Sequence, residues 1–306
     1  MRLAIIGQQA FGKAVIEAFR ARGHDVAGAF VPPQEPGGRA DALAEAAAAA
    51  GIPAHPIRSY SSDEAQELLR RMAVDLAVMA YVTQFVPQSF CTIPAHGTIQ
   101  FHPSLLPLHR GPSALSWAII SGRTETGLSI FRPSDGLDEG PVILQKKVAI
   151  GPDDTLGTVY FDKIFPLGVA ALVEAAEAVM AGTAREWTQD ETSATYEGWV
   201  RAAEARIDWA KPIDQVYDLV RGCNPSPGAW TTWQGRRLTL FDAKKHLART
   251  FGEVRNLKPG QVAGAASGSF TVHAQGGFLE VLRCRIDDGK KIVAGEAGIA
   301  PGTILG

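Results

Sequence analysis

Cysteine is scarce in this chain, and its placement argues against two classes of structure. Only three cysteines occur in 306 residues, at Cys91, Cys223 and Cys284. They are far apart and odd in number, which argues against a disulfide framework, and they lack the spacing of metal ligands. We therefore expect no metal site and a reduced, cytoplasmic setting.

Long apolar runs are missing as well. No stretch approaches eighteen consecutive apolar residues, and the segment from Met1 to Gly7 enters a strand without the apolar length of a signal peptide. Charged residues at 20% and hydrophobic residues at 46% are typical of a globular protein with a substantial core. We therefore expect no membrane span.

The chain carries no strong charge of either sign. Its formal net charge is −2. Residues 205–306 hold 14 Lys and Arg against 9 Asp and Glu, or +5, and residues 1–204 hold 16 against 23, or −7. A mildly basic carboxyl-terminal part permits contact with an anion, but a clustered basic stripe is absent. The pattern disfavours nucleic acid as a partner.

The first thirty residues follow the opening pattern of a Rossmann-like sheet. An apolar strand at Leu3–Ile6 is followed by Gly7 and Gly12, a helical stretch and a second strand at Val26–Phe30. The middle glycine of a dinucleotide fingerprint is absent, and Val31-Pro-Pro stands where its acidic residue would follow. We therefore predict that Gly7 and Gly12 serve turns and packing, and that NAD is not bound.

A histidine and an aspartate stand out further along the chain. Thr98–Phe101 reads as a short strand, and Pro103 should end it at His102, leaving the imidazole at the carboxyl end of the strand. In open α/β sheets, ligands bind at that edge. Ser134–Gly140 reads as a tight loop that could present the carboxylate of Asp138. Either residue alone is more often structural; together they predict a site.

The motifs around this pair identify a family. His102-Pro-Ser-Leu-Leu-Pro107 with a later Asp135-Gly-Leu-Asp-Glu-Gly140 resembles the folate-dependent formyltransferases. Within that family the sequence is most similar to the amino-terminal hydrolase domains of 10-formyltetrahydrofolate dehydrogenases. The resemblance extends from Ile5–Gly12 through Ala194–Gly198 to Pro227–Trp230. It implies 10-formyltetrahydrofolate as cosubstrate, with neither NAD nor a metal.

The sequence changes character after about residue 182. Residues 183–204 look like a linker, and the remainder holds short alternating segments such as Arg237–Phe241 and Phe278–Leu282 between glycine turns. The resemblance implies an OB-like barrel there. We predict a Rossmann-like formyltransferase catalytic domain at 1–182, a linker at 183–204 and a carboxyl-terminal OB-like β-barrel domain at 205–306.

The resemblance also implies roles for individual residues. It makes His102 the proton donor and Asp138 the carboxylate that orients it and the attacking group, while also contacting the folate. The tetrahedral adduct formed at a formyl carbon carries a negative oxygen, which needs a hydrogen-bond donor, and the leaving nitrogen needs a proton. Gln84, Phe85 and Val86, after the strand at 76–80, are expected to lie against the pterin ring of the folate.

Gln100 is the informative departure from the family pattern. Amine formyltransferases of this family carry Asn two residues before the histidine, and the hydrolase domains carry an apolar residue. Residues 100 and 102 of a strand share one face, so the Gln100 amide could donate to the formyl oxygen beside His102. A packed, non-catalytic Gln100 is the alternative. The residue leaves hydrolysis and transfer both open.

The sequence leaves several functions open. The leading hypothesis is a formyl hydrolase using water; transfer to a small amine, such as an amino sugar or hydroxyornithine, competes closely with it. Methionyl-tRNA is a third acceptor, but Pro32–Arg39, where that family carries a basic loop, holds one cation. An inactive folate-binding regulator and a Rossmann oxidoreductase are the other classes.

Overall fold

The computed structural model describes residues 1–35 and 37–306. Pro36, within the segment Pro32–Arg39 in which the sequence predicts a loop, lies outside the described residues. The chain divides into two compact units. Unit 1 comprises Met1–Pro112, Gly127–Val148 and Lys163–Tyr196, and unit 2 comprises Ser113–Thr126, Ala149–Asp162 and Glu197–Gly306. The proposed domain boundaries at residues 182 and 204 stay a prediction.

Strands and helices make up most of the first 180 residues and alternate up to residue 131, and the opening of this pattern is the one that the sequence predicts. In chain order they are β1 (Arg2–Gly7), α1 (Gln9–Ala21), β2 (Asp25–Val31), α2 (Ala42–Ala49), β3 (Ala54–Pro56), α3 (Asp63–Met72), β4 (Leu76–Ala80), α4 (Gln88–Cys91), β5 (Thr98–His102), α5 (Ala114–Ile120), β6 (Glu125–Phe131), β7 (Val142–Ala149), α6 (Leu156–Thr158) and α7 (Phe165–Met180). Capping residues fix the starts of two helices. Asp41 accepts from Leu43 N at the start of α2, and Ser62 accepts from Ala65 N at the start of α3.

A seven-stranded sheet in the order β3-β2-β1-β4-β5-β6-β7 forms the centre of unit 1. The pairs from β3 to β5 are parallel, and β6 runs antiparallel to β5. The strand order reverses direction at β1, so the carboxyl ends of β1, β4 and β5 lie at the edge where α/β sheets bind ligands. The sequence prediction of a ligand site at the end of β5 depends on this topology.

Helices cover both faces of the sheet, which explains why β4 is buried along its whole length. On one face, the ring of Phe101 from β5 packs against Phe11 of α1, with ring centroids 4.5 Å apart. A Cβ built on Gly168 of α7 would lie 2.5 Å from that same Phe101 ring, so α7 approaches β5 closely. On the other face, the ring of Phe90 of α4 packs against the ring of Tyr60, with ring centroids 5.1 Å apart.

The helical stretch Leu156–Met180 has two features of interest. It adopts π-helical geometry at Val159–Ile164, directly before the start of α7. The sequence predicts a kink at Pro166, because proline lacks the N–H of the regular helical ladder, and the irregular turn lies beside it. Among the described residues, this stretch alone is long and apolar enough to cross a membrane by length and composition. A single helix of this kind is weak evidence for a span, because core helices pass the same test.

The contacts of α7 are those of a helix that covers a sheet. Glu174 pairs with Lys146 of β7 at 2.6 Å, and Glu177 lies 3.4 Å from both Arg22 and His24. The buried residues of α7 are small or aliphatic, and they include Gly168, Ala171, Leu172, Ala175, Ala176 and Val179. The apolar composition of α7 is thus used in packing within unit 1.

Unit 2 is built mainly from antiparallel strands and one long helix. Its elements after residue 200 are α8 (Ile213–Gly222), β8 (Ala229–Trp233), β9 (Arg236–Leu240), β10 (Ala243–Leu247), α9 (Phe251–Val254), β11 (Val262–Ala265), β12 (Phe270–Ala274), β13 (Gly277–Val281), β14 (Arg283–Ile286) and β15 (Ile292–Val293). Two four-stranded sheets, β10-β13-β12-β11 and β15-β14-β9-β8, share one core with α8. The predicted fold class, a Rossmann-like domain followed by a β-rich OB-like domain, is confirmed.

Candidate active site

His102 is the last residue of β5 and is only 5% exposed. Because side chains alternate along a strand, His102 points away from the face on which Phe101 packs against α1 and α7. The following turn is fixed by Ser129 of β6, whose hydroxyl donates to Ser104 O at 2.7 Å and accepts from Leu106 N at 3.1 Å. The histidine therefore sits at a rigid strand end, as the sequence predicts.

Asp138 lies beside it. Its Oδ2 atom is 3.5 Å from His102 Nδ1, and each side chain is 7% exposed. Asp138 has a backbone φ of 57°, in the left-handed region that few non-glycine residues occupy. Such a conformation persists only where surrounding contacts impose it. The two residues that the sequence singles out, 36 positions apart, are thus brought together in a constrained geometry.

The hydrogen bonds of the His102 ring indicate how its protons are used. His102 Nε2 lies 2.9 Å from the backbone oxygen of His109. A carbonyl only accepts, so Nε2 carries a hydrogen in this arrangement. Nδ1 faces the Asp138 carboxylate, which is a second acceptor. The protonated ring can donate to both acceptors, and the neutral ring to only one of them.

The Asp138 carboxylate is also held by the backbone. Gly111 N donates to Asp138 Oδ2 at 3.0 Å, so this one oxygen faces both the His102 ring and a peptide N–H. For Asp138 Oδ1, no hydrogen bond to a residue that the structure describes is found. This second oxygen is therefore available to a ligand or a water molecule.

Gln100 shares the sheet face of His102. It is half-buried, and in the sheet it lies between Met79 of the neighbouring strand β4 and Phe131 of the neighbouring strand β6. Its amide makes no hydrogen bond with any residue in the described part of the chain. The structure thus places Gln100 where the sequence predicts, and leaves its amide available.

The three predicted folate contacts occupy the loop that leaves β4. Phe85 is 64% exposed, Gln84 is half-buried, and Val86 is buried in the core cluster that contains Phe90 and Tyr60. Because β4 and β5 are parallel neighbours, this loop emerges at the sheet edge that also carries His102. The Val86 side chain is engaged in packing, so this residue offers its backbone groups to a ligand.

Among the residues that the structure describes, two of the cavities lie away from the His102–Asp138 pair. One of about 310 Å³ lies between α1 and α2, with Lys13, Glu17 and Glu45 on its walls, and none of the predicted site residues lines it. A smaller one, at the ends of β1, β2 and β4, is lined by Gly7, Gln8, Pro32, Tyr60, Tyr81, Val82, Thr83 and Gln84. The second cavity opens at the edge that the topology assigns to ligands.

The two glycines near the start of the chain are packing residues, as the sequence predicts. A Cβ on Gly7 would lie 2.1 Å from Ala80 O of the neighbouring strand, and one on Gly12 would lie 3.0 Å from the side chain of Leu43.

Within residues 1–35 and 37–306, no group of three or more His, Cys, Asp or Glu side chains could hold a metal ion.

Sequence reasoning missed the contacts that Gln189 makes around the pair, and it left Arg110 between a structural and an anion-contacting role. Arg110 is fully buried and donates from Nε and Nη2 to Gln189 Oε1, at 3.1 and 2.8 Å. Gln189 in turn donates to the backbone oxygens of Asp138 and Gly140. Gln189 lies 51 positions after Asp138 in a stretch without helical or strand periodicity, so only the family motif at 194–198 pointed to this region.

Comparison with known proteins gives the chain a family. The formyl transferase family model matches residues 1–176, and the model of the formyl transferase C-terminal domain matches residues 200–298. Mitochondrial 10-formyltetrahydrofolate dehydrogenase of Homo sapiens is 35% identical over 304 residues, covering 97% of this chain and 33% of that protein. The chain thus spans about a third of the length of this relative.

Two further proteins support the assignment. Methionyl-tRNA formyltransferase of Lachnospira eligens is 31% identical over 302 residues, covering 96% of this chain and 95% of that protein. A crystal structure of HypX from Aquifex aeolicus in complex with tetrahydrofolic acid has the same fold, with a TM-score of 0.67 and 19% identity over 97% of this chain and 46% of that one. The resemblance predicted from the motifs is confirmed, and this chain belongs to the formyl transferase family.

Proposed function

We propose that this chain takes 10-formyltetrahydrofolate and passes its formyl group to water, releasing tetrahydrofolate and formate. The observation that carries the proposal is the 3.5 Å approach of Asp138 Oδ2 to His102 Nδ1 at the carboxyl end of β5. The similarity to 10-formyltetrahydrofolate dehydrogenase over 97% of this chain supports the choice of donor.

The reaction would divide its proton transfers between the two residues. Asp138 Oδ1 would hold and orient the attacking water, because Oδ2 already faces His102 and Gly111. The water oxygen bonds to the formyl carbon, and the carbonyl oxygen becomes negative. The charged His102 ring would donate to that oxygen or to the leaving folate nitrogen, exchanging its contact with His109 O for one with the substrate.

Collapse of the adduct completes the step. The bond between the formyl carbon and the folate nitrogen breaks, and the nitrogen takes up a proton from His102. The attacking water gives one proton to Asp138 and loses its second to solvent, so that the product is formate. Formate and tetrahydrofolate leave, and no oxidant or reductant is consumed. Burial of both side chains strengthens their interaction with the developing charge, since little water competes for it.

We propose that the loop after β4 binds the pterin ring. Backbone groups of Gln84 and Val86 would meet the edge of the heterocycle, and the exposed Phe85 ring would supply an apolar surface. Flat ligands with several donors and acceptors suit a site with few polar groups and an apolar wall.

Transfer to a small amine is the second candidate, and Gln100 is the observation that favours it. Its amide is unengaged on the face of His102, where the family's amine formyltransferases carry an amide side chain. An amino sugar or a hydroxyornithine would then take the place of water. Methionyl-tRNA is a further acceptor class, supported by the relative from Lachnospira eligens and disfavoured by the single cation in 32–39.

The deciding experiment measures formate and formylated product together. Purified protein is incubated with 10-formyltetrahydrofolate, alone and with candidate amines, and tetrahydrofolate is followed by absorbance. We expect formate release without added amine, and loss of that activity in His102→Ala. Product formation only with an amine, or only with methionyl-tRNA, would reassign the acceptor. Folate binding without turnover would indicate the regulator, and nicotinamide-dependent redox activity would indicate an oxidoreductase.

A further inference from the structure

Part of the segment that the sequence suggests is a linker is tied to the rest of unit 1 at both of its ends. We call residues 187–196 the strap. At its start, Trp187 and Val142 of β7 exchange backbone hydrogen bonds of 3.0 and 2.9 Å. At its end, Thr195 N donates to Pro107 O at 3.1 Å, and Arg110 N donates to Thr195 O at 2.9 Å. The strap therefore connects β7 with the loop that follows His102.

The first arm of the strap ends on the Asp138 loop. Gln189 is 5% exposed, and its Nε2 donates one hydrogen to Asp138 O at 2.8 Å and the other to Gly140 O at 2.7 Å. Its Oε1 accepts from Nε and Nη2 of Arg110. All the hydrogen-bonding capacity of this amide is used, and it holds the loop in which Asp138 adopts its φ of 57°.

The second arm ends on the His102 side. Thr195 Oγ1 accepts from His109 N at 2.8 Å, and His109 O accepts from His102 Nε2 at 2.9 Å. One residue, His109, therefore lies between Thr195 and the Nε2 contact of the imidazole. The position of Thr195 fixes the carbonyl on which the ring rests.

Arg110 joins the two arms through a buried charge. Its side chain is fully buried, and it donates to Glu191 at 2.9 and 2.6 Å and to the Tyr196 hydroxyl, both within the strap. Tyr196 donates in turn to Glu139, the residue after Asp138. The hydrogen bond to Glu191 raises the pKa of Arg110, so this centre stays charged. A buried, fully paired guanidinium of this kind makes the network rigid.

We propose that the strap positions the reacting pair, with Gln189 setting Asp138 and Thr195 setting His102. The inference rests on the proposed function, because it assigns positioning residues to that same site. The separation of 3.5 Å between Nδ1 and Oδ2 is longer than a hydrogen bond, so a small movement of either loop decides whether the pair closes. A displacement of about 1 Å in such a site can cost roughly 10²-fold in rate.

Two substitutions separate the arms. Gln189→Glu keeps an acceptor for Arg110 but cannot donate to the carbonyls of Asp138 and Gly140. Thr195→Val keeps the shape of the side chain and removes the acceptor of His109 N. Thr195 is half-buried, so water can reach the region around His109 N in the Thr195→Val variant. This variant is therefore the test if Gln189→Glu fails to fold. Gln66→Glu, on α3, is the matched control for the amide-to-carboxylate change.

The expected result is a loss confined to the chemical step. Each variant should lower kcat about tenfold or more, while KM for 10-formyltetrahydrofolate changes less than about threefold. The double variant should lose less than the product of the single losses, because both arms hold one pair. Wild-type kcat in either folded single variant, or equal losses in kcat and folate affinity, would overturn the inference.

A readout without turnover separates this inference from the proposed function. The side-chain resonances of His102 are assigned with His102→Asn and compared between the wild type and both variants by NMR. Altered His102 resonances, with the histidines other than His102 and His109 unchanged, support the strap as a positioning device. Unchanged His102 resonances overturn it, even if the wild type hydrolyses the folate. Absence of formyl release by the wild type would instead count against the proposed function alone.

Discussion

The backbone N–H of Gly111 donates to Asp138 Oδ2 at 3.0 Å. The same turn of chain, two residues earlier, presents the His109 carbonyl to His102 Nε2 at 2.9 Å. One short segment therefore holds both members of the pair through backbone groups, which substitutions of its side chains leave in place. The arrangement means that the charge of Asp138 can be removed with little change in the loop.

Asp138→Asn is predicted to remove activity while preserving the fold. The amide oxygen can still accept from Gly111 N, but the NH₂ group then replaces the oxygen that would orient the attacking group, and the charge facing His102 is lost. Formate release should fall by about 10²–10⁴-fold, the usual value of a positioned acid–base group. The measurement is kcat with saturating 10-formyltetrahydrofolate.

A matched variant shows whether the loss is specific. Asp288→Asn changes an exposed aspartate of unit 2 in the same chemical way and should keep wild-type kcat. Thermal unfolding of Asp138→Asn should stay within a few degrees of the wild type, because the amide keeps the shape of the buried side chain and its oxygen can still accept from Gly111 N. Full activity in Asp138→Asn would remove the carboxylate from the proposed mechanism.

The pair itself could be predicted from sequence because its signals are local. The apolar run of β4, the proline after His102 and the glycine steps around Asp138 each act on neighbouring residues, and the α/β topology then determines which edge they share. The observed strand β5 ends at His102, as the proline predicts. Local chemistry therefore identified the opening of the α/β sheet, the strand end and the carboxylate loop, and the family resemblance supplied the OB-like domain and the roles of the two side chains.

The support of the pair could not be predicted in the same way. Gln189 and Thr195 act through contacts with residues 51 and 86 positions away, within a segment that lacks any periodic pattern. A stretch with polar residues and few apolar ones reads as a linker unless the buried partner is known. The partner here is Arg110, a charged residue, and its complete burial runs against the usual exposure of arginine.

Gln100→Leu is predicted to distinguish the two alternative roles of Gln100, a donor to the formyl oxygen or a packed, non-catalytic residue. If the amide donates to the formyl oxygen, its loss should lower kcat by roughly 10²–10³-fold, as for other oxyanion donors. Gln100→Asn should recover part of the rate, because the amide remains one methylene shorter. The kcat values of both variants, with water and with an amine acceptor, provide the measurement. Wild-type rates in Gln100→Leu would make the residue a packing one.

Glu191→Gln should lower stability in a pH-dependent manner. The hydrogen bond from Arg110 lowers the pKa of Glu191 below its ordinary value of 4.5. A carboxyl whose pKa is lower in the folded state contributes stability above its unfolded pKa and loses it as the pH falls through the folded one. The stability deficit of the variant against the wild type should be present at pH 7 and shrink below about pH 4.5.

Chemical denaturation from pH 3 to pH 8 measures this deficit. Glu296→Gln, an exposed glutamate in unit 2, is the control and should follow the wild type at every pH. A deficit for Glu191→Gln that is equally large at pH 3 would show that the neutral carboxyl and the amide differ in packing, and that the charged hydrogen bond with Arg110 contributes nothing.

The three cysteines should be unreactive in the folded protein and should make stability fall at alkaline pH. All are buried and free, and burial raises the pKa of Cys91 and Cys284 to about 11 and that of Cys223 to about 12. Because the thiolate is the reactive form, a disulfide reagent at pH 8 should modify the native protein slowly and three thiols rapidly after denaturation.

A thiol whose pKa is raised by folding leaves stability unchanged below its unfolded pKa and lowers it as the pH rises toward the folded one. The free energy of unfolding should therefore decrease from about pH 9 upward, with a shallower decrease in Cys223→Ala; rapid modification of any thiol in the native protein would contradict its burial.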